Sequence, residues 1–538
     1  MNKEVKPQET ELKLQLPGQT AEKAVIQKLS GSGYVIGKPS ILVNDDLYLD
    51  TFDWLLIKKK LALRYRCSNG QASYTLKSIG NFNQGIAQRT ELEFALERPP
   101  ETPQDVPVEQ IRSQVTPLIF PRVLLELVRV RTRRREYPII SPEGAKISLA
   151  FDSSNFSRRR PPAVNCRRNF YEMEAELKEG DVSALVCLQK LMTVAFDYPF
   201  SSESKLQRAI GLLHLVPVSR KTNPDLSVKL ADPLGIALQK IIAAEFQWFH
   251  EQLPGVIADL DSEFVHQARV TTRRMRSAIK VFNESINQDT GAFLADELKW
   301  LGGLFGAVRD IDVYVINLNI FEQKIDFFPG SIHRELEKGI EKLRSKPFKT
   351  LLDGLGSARY VKFERRLMRF IESPPGKAGN RSAAAQTIRQ FAPEVINRDF
   401  DAVNGRGREV IAKPDMKQFH LLRIEMKKLR YATEFMAPAY GDALASFIRR
   451  TVEIQDCLGE LQDTVFTREF SQRIIKDWKR MPYDLNIPFV LGELFQYQAN
   501  IAKEHQASFA GIWERFTHAE TAQLLNQVFA GKELPEQP

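Results

Sequence analysis

The sequence predicts an α+β domain dominated by antiparallel strands, followed by an all-α domain. Three observations carry that prediction. Residues 8–215 hold short segments in which apolar and polar residues alternate, bounded by Asn, Gly, Pro or Ser. Such alternation marks a strand, because successive side chains leave opposite faces of the pleat. From about 229 onward apolar residues recur at three- and four-residue steps, the period of an amphipathic helix. The helical region also repeats itself: HQARVTTRRMRSAIKVF (266–282) matches HLLRIEMKKLRYATEFM (420–436), and LFGAVRDIDV (304–313) parallels CLGELQDTVF (457–466). Two copies of one helical bundle explain that repeat.

Taken in order, QETELKLQL opens the strand region, and LYLDTF, ALRYRC, ASYTLK, QRTELEFAL, VRVRTRRREY, KISLAFD and NFYEMEAEL follow as further strands. Helical periodicity interrupts them at 20–31 and 181–195. So many antiparallel strands suit a closed barrel. VPVSRKTNPD (216–225), with two prolines and little apolar content, reads as a linker. SPPGKAGNRSA (373–383) reads as the break between the helical copies.

Composition excludes several classes. With 538 residues, 43% hydrophobic and 27% charged, the chain can build two or three domains with real cores. A net charge of +9 suits an anionic partner. The surplus is spread over both halves, however, so neither is a uniformly basic nucleic-acid surface. Cys67, Cys166, Cys187 and Cys457 lack metal-ligand spacing and disulfide density, and read as free thiols in a reducing compartment. The first ten residues lack the apolar core of a secretory signal, and no stretch reaches the roughly 18 apolar residues that span a bilayer. The expectation is a cytoplasmic protein without a membrane partner.

The charged faces of the strands carry the chemistry. Glu9, Glu11 and Lys13 share one face of the first strand. Arg64 and Arg66 share another, as do Thr75 and Lys77, then Arg89, Glu91 and Glu93, then Arg131, Arg133 and Arg135. Asp152 ends an apolar strand, and Glu172, Glu174 and Glu176 alternate on the last. Facing bulk water, these residues would be unremarkable. Converging inside a barrel, they could not stay buried and unpaired. Such an interior would hold water, divalent cations and a polyanion, with carboxylates for Mg²⁺ or Mn²⁺ and Arg and Lys for phosphate oxygens. Hydrolysis of a phosphoanhydride needs that combination.

The ordered set ExExK, Arg-x-Arg, a strand Lys, an Arg before acidic residues, a basic strand and a late ExExE resembles the CYTH or triphosphate tunnel metalloenzyme superfamily. LYLDTFDWLLIKKKLALRYRCSNGQASYTLK and the late Ser204-Lys205 with Arg208 fit that pattern. The resemblance covers residues 5–215. It implies an eight-stranded antiparallel β tunnel that cleaves short phosphoanhydrides with Mg²⁺ or Mn²⁺, inorganic triphosphate first among them. By matching position, Glu9, Glu11, Glu174 and Glu176 would hold metal, with Asp152 and Glu172 as further ligands. Lys13, Arg64, Arg66, Lys77, Arg89, Arg131, Arg133 and Lys205 would bind phosphate, although Arg129 to Arg135 leave the register of the basic strand open. Arg158–Arg160 and Arg167-Arg168 lie outside the matched motifs and read as solvated loops. Thiamine-triphosphatase, adenylate cyclase and polyphosphate polymerase activities, or a vestigial tunnel in a polyphosphate-binding protein, are the alternatives within the resemblance.

In the helical region His266, Arg269, Arg273, Arg276 and Lys280 fall on one helix face, and His420, Arg423, Lys427 and Arg430 repeat the first four positions. Like charges at these steps repel, so finding the stripe in both copies argues for an anionic ligand. These residues resemble the CHAD domain, over 229–527. That resemblance implies two four-helix bundles (copies at about 229–373 and 385–527, after a linker at 216–228) and a basic groove for inorganic polyphosphate. It also admits association with polyphosphate granules. A flexible polyanion is recognised by charge rather than by a base code. The stripe lacks interleaved aromatics, which disfavours a specific nucleic-acid partner. Asp310 and Asp463 occupy equivalent positions and are expected to orient the stripe by salt bridges.

Overall fold

The computed structural model describes residues 9–79, 82–83, 86–158, 164–166, 169–201, 203–220, 223–324, 330–373, 386–478 and 486–530. The chain divides into two compact units, Met1–Ser219 and Arg220–Pro538.

The first unit is one antiparallel sheet. Its strands are β1 (Glu9–Leu16), β2 (Val35–Ile36), β3 (Ser40–Asp50), β4 (Leu61–Ser68), β5 (Gln71–Ser78), β6 (Phe82–Asn83), β7 (Ile86–Arg89), β8 (Glu91–Leu96), β9 (Leu125–Ile140), β10 (Lys146–Arg158), β11 (Val164–Asn165) and β12 (Phe170–Glu179). The order is β6-β7-β1-β12-β10-β9-β3-β4-β5-β8, with β2 and β11 attached to β9 and β10. Among the described residues the ladder does not close. Instead β7 pairs with β1, β8 pairs with β5, and only Thr90 separates β7 from β8. One strand thus changes partner, and the two ends of the path are joined through the chain. The wall is a tunnel in shape, with a seam.

The strand alternation settles which face turns inward. Leu12, Leu14 and Leu16 of β1, Ile147, Leu149 and Phe151 of β10, and Met173 and Ala175 of β12 all point outward, into a core with helices Ala21–Gly31 and Ser183–Ala195. On the opposite side Leu63, Tyr74 and Leu76 pack under helix Glu109–Ile119. The helices therefore cover the apolar faces, and the charged faces line the interior. Burying those leucines outside the wall stabilises by about 2 kcal/mol per side chain, which offsets the cost of a polar interior.

One end of the interior is apolar. Tyr48, Val128, Val130 and Phe156 pack there against Leu206, Ala209 and Leu213 of helix Lys205–Leu212 and the residue that follows it. The Ser204–Gln207 capping box fixes where this helix starts. Lys205 is its first residue, so the helix plugs the tunnel and presents an ammonium to the charges beyond.

The second unit is entirely helical among its described residues. Helices Leu234–Ile257, Ser262–Val281, Gln288–Glu322, Gly330–Leu355 and Ala358–Glu372 are followed by Ile388–Ala412, Met416–Met436, Ala445–Trp478, Asn486–Thr517 and Ala519–Phe529. Among the described residues each copy has four long helices and a shorter fifth. Most of the expected break at 373–383 lies outside the described residues. Helices Ser262–Val281 and Met416–Met436 meet where the copies join. Arg274 bridges there to Glu245 (2.7 Å) and to Glu434, over the rings of Tyr431 and Phe435.

Candidate active site and anion groove

The interior of the sheet encloses a cavity of about 1550 Å³ lined by Glu11, Lys13, Arg64, Arg66, Lys77, Glu91, Arg134, Glu174, Glu176 and Lys205. Antiparallel pairing explains the convergence. Directly opposed residues share a face, and β1 sets Glu11 against Glu176 and Lys13 against Glu174, while β10 sets Asp152 against Glu172.

Asp152, Glu172 and Glu174 are buried, with carboxylate oxygens within 4.8 Å of one another. Lys205 Nζ lies 2.8 Å from Asp152 and 2.7 Å from both glutamates. Lys13 Nζ reaches Glu174 Oε1 at 2.5 Å and Glu11 at 3.3 Å. Arg134 forks onto Asp152 (2.9 and 2.7 Å) and also meets Glu174. Three buried acids thus face two buried ammonium groups and the part-buried guanidinium of Arg134. Burial alone would raise the Glu174 carboxyl, but Lys13, Lys205 and Arg134 outweigh it and hold it well below the usual range. Glu172 goes the other way: burial wins over Lys205, and its carboxyl is raised. Burial would lower Lys205, yet Asp152, Glu172 and Glu174 hold its ammonium well above an ordinary lysine.

On the facing wall Arg66 forks onto buried Asp46 at 2.6 and 2.7 Å. Arg64 donates to Thr75 at 3.0 Å, and Lys77 meets Glu91 at 2.8 Å. These pairs hold the cations with their heads toward the cavity.

The structure corrects the basic strand. Arg131 and Arg133 are exposed on the outer face, and Arg131 reaches Asp45 at 3.5 Å. Arg135 pairs outside with Glu22 at 2.9 Å. The pairing of β9 with β10 sets Arg134 opposite Asp152, so Arg134 faces inward and its odd-numbered neighbours cannot. Glu9 and Arg89 are paired by backbone register, and their side chains lie outside the described residues. Arg159, Arg160, Arg167 and Arg168 also lie outside them. Sequence reasoning missed Asp46, Arg134 and Glu91 as site residues. Asp46 sits opposite Arg66, so strand pairing was the signal that could have found it.

The donor set fits a hard divalent cation, being carboxylate oxygen only, and the Lys205 ammonium marks the centre of the acidic cluster as a place for positive charge. Glu11, Glu174 and Glu176 line the open cavity, whereas Asp152 and Glu172 do not.

In the helical unit Arg269 pairs with Asp310 at 3.0 Å. Arg273, Arg276, Lys280 and Lys427 line a cavity of about 1110 Å³ between the two copies, with Tyr431 under the Arg273 guanidinium. Arg276 and Lys280 are exposed, and Arg423 and Lys427 are half-buried. Burial first, then Arg423, Arg273 and Arg269, push the Lys427 ammonium down to about 7. Asp463, raised by burial, is acted on by Arg423, Arg309 and Lys427. His420 Nδ1 meets Gln462 Oε1 at 2.8 Å, and His266 is half-buried on the same stripe. Arg430 departs from the expected role: it bonds Glu434 (2.5 Å) and Gln455 (2.6 Å) as part of the seal between copies.

Comparison with known proteins agrees with this division. The CYTH domain family matches residues 7–210 and the CHAD domain family residues 240–472. An uncharacterized protein of Mycobacterium tuberculosis (strain CDC 1551) is 24% identical over 478 residues, covering 85% of this chain and 87% of that protein. The inorganic triphosphatase of Haemophilus influenzae is 28% identical over 178 residues, 32% of this chain and 48% of that enzyme. Among solved structures, the CHAD domain of the plant Ricinus communis is 20% identical, with a TM-score of 0.42, covering 59% of this chain and 99% of that one. The chain is a CYTH–CHAD fusion protein, a member of the triphosphate tunnel superfamily with a CHAD domain after its tunnel.

Proposed function

We propose that the tunnel hydrolyses inorganic triphosphate to diphosphate and phosphate with Mg²⁺ or Mn²⁺, and that the helical domain binds inorganic polyphosphate. The observation that carries the first half is a cavity in which six cations, Lys13, Arg64, Arg66, Lys77, Arg134 and Lys205, face Glu11, Glu174 and Glu176. A binding-only site for phosphate needs the cations and is weakened by the carboxylates. A hydrolytic one uses both.

In this reading Glu11, Glu174 and Glu176, with Glu9, hold the metal, and Asp152 and Glu172 stand behind them. When bound, the metal neutralises charge on the transferred phosphoryl group. Arg64, Arg66 and Lys77 on one wall, with Arg134 and Lys205 on the other, orient the chain and stabilise charge on the leaving diphosphate as the P–O bond breaks. The oxygen of water joins the terminal phosphorus, and its protons leave with the products. The plug of helix Lys205–Leu212 favours short chains, because a blind tunnel admits a chain from one end.

The test is phosphate release from triphosphate, longer polyphosphate, ATP and thiamine triphosphate with either metal. Triphosphate should be the best substrate, and Glu11→Gln should lower turnover on it at least about 100-fold. Full activity in Glu11→Gln removes the metal assignment, and a preference for thiamine triphosphate or ATP moves the tunnel to another activity. For the second half, the full chain should retain long-chain polyphosphate, and neutralising Arg273, Arg423 and Lys427 together should release it.

A further inference from the structure

Along one strip the tunnel wall has no apolar core on either side. On its inward face Asn44 of β3, Thr132 of β9 and Ser154 of β10 stand level with one another, all polar and buried, and the two hydroxyls share a hydrogen bond at 2.9 Å. On its outward face Val43 stands opposite Arg133 and Ile41 opposite Arg135, with Ser153 and Asn155 of β10 beyond Arg133 and Arg131. The core under helices Ala21–Gly31 and Ser183–Ala195 and the core under helix Glu109–Ile119 both stop short of Ile41 and Val43. These two side chains are left 50% and 57% exposed. A strand of an antiparallel sheet ordinarily packs one face on a core, and a solvated outward position is ordinarily polar. Here two β-branched aliphatics occupy such positions, two residues apart on one strand.

The strip also carries unanswered positive charge. The Arg131 side chain is 63% exposed, and Arg133 is exposed and makes no ion pair among the described residues. Asp45, on the same face, is already held by Arg129 at 2.6 Å and by Arg131 at 3.5 Å. The chemistry of a cover follows. Its apolar part must meet Ile41 and Val43, and its carboxylates must meet Arg131 and Arg133 on the adjoining strand, about 5 Å away. Helices cover the neighbouring strands, and an amphipathic helix with Leu on its contact face and Asp or Glu along one edge matches both rows. A second copy of this chain, turned face to face by a two-fold axis, brings like arginines together. A lipid surface fits less well, because the strip has two aliphatics and no aromatic side chain to anchor among headgroups.

We propose that the outward strip of β3, β9 and β10 is a docking surface for an acidic amphipathic helix of a partner protein, held by Ile41 and Val43 and oriented by Arg131 and Arg133. It is independent of what the tunnel cleaves and of what the helical domain binds.

The experiment uses the full chain and a fluorescent synthetic peptide of about four helical turns, with Leu on one face and Glu flanking it. Anisotropy at about 150 mM salt reads the affinity. Arg133→Glu should weaken binding at least about tenfold, because it sets a carboxylate against those of the peptide. Val43→Thr keeps the β-branched shape and should weaken it about threefold. Lys190→Glu makes the same change of charge on helix Ser183–Ala195, away from the strip, and should leave the affinity within about twofold. Arg131→Glu combined with Arg133→Glu should take up the peptide in which Lys replaces Glu, a gain that unfolding cannot produce. No binding of the acidic peptide overturns the proposal. Binding that survives Arg133→Glu overturns it too, and assigns the peptide to another basic surface. Capture of phosphatidylcholine–phosphatidylserine vesicles that Arg133→Glu abolishes, without peptide binding, overturns it in favour of a lipid surface.

Discussion

Replacing Lys205 by Met separates the charge balance of the tunnel from its packing. The two side chains are of similar length, so the plug of helix Lys205–Leu212 keeps its volume while the ammonium disappears. Lys205 Nζ lies within 2.8 Å of Asp152, Glu172 and Glu174, all buried. Breaking one partner of a buried charge network costs about 3–5 kcal/mol. Lys13 and Arg134 remain on Glu174 and Arg134 on Asp152, so the low end, about 3 kcal/mol, is expected. Glu172 is left most exposed to the change, because its carboxyl already stands above the usual range. The loss must depend on pH. Glu174 is depressed in the fold, so its contribution is present above the unfolded carboxylate pKa and fades as pH falls through the lower folded one. Lys205 is raised, so its contribution is complete below the unfolded lysine pKa and fades only as pH rises through the higher folded one. The difference between the two proteins should therefore be flat from about pH 6 to 9 and shrink toward pH 3, as the carboxylates protonate and the missing ammonium no longer matters. Hydrogen exchange of peptides from β10 and β12 in the full chain reads this locally. Amides that open with the tunnel should lose about two decades of protection at neutral pH, since about 1.4 kcal/mol is tenfold. Equal protection in the two proteins at neutral pH, or a deficit as large near pH 3 as at pH 7, would refute the charge-balance argument.

The basic strand offers a register test: Arg134→Ala should lower triphosphate turnover at least about 100-fold, while Arg131→Ala and Arg133→Ala should stay within about twofold. Phosphate release by each variant checks it, and equal losses at 133 and 134 would contradict the pairing of β9 with β10. In the helical domain Lys427 is held near 7, so above that pH the empty groove loses a charge that a bound polyanion would restore. Affinity should fall up to tenfold per pH unit above about 7, and calorimetry in two buffers should show proton uptake. Lys427→Arg should flatten that dependence. Chelation should abolish phosphate release and leave polyphosphate retention unchanged, because among the described residues the acidic cluster placed to hold a metal lies in the tunnel, not in the helical groove.

Much of the tunnel was legible in the sequence because alternation is a strict code. Glu11, Lys13, Arg64, Arg66, Lys77, Glu174 and Glu176 each share a parity with charged neighbours on short strands, and all line the cavity. The code fails where charge occupies both parities, as in Arg133-Arg134-Arg135, because only pairing with β10 decides which one turns inward. Asp46 was hidden for a related reason: NDDLYLD offers Asp45 and Asp46 on opposite faces, and the choice lies in the strand beside it. Helix Glu109–Ile119 carries a proline near its end and a weakly marked start, so its covering role is visible only in the packing. The helical stripes were readable as faces. Which cations would be crowded and which partnered was not, since Glu434 and Asp463 meet them from helices far along the chain or from the next turn.

The change of partner at Thr90 gives the tunnel a mechanical property that a fully bonded barrel lacks. In a closed barrel, strand number and stagger set the bore, and widening it breaks a whole ladder. Here, among the described residues, the circumference is completed through the chain at Thr90, with β7 held by β1 and β8 held by β5. Rotation about one residue lets the two edges part or approach while both ladders stay intact. A seam of this kind turns a rigid pipe into a sleeve.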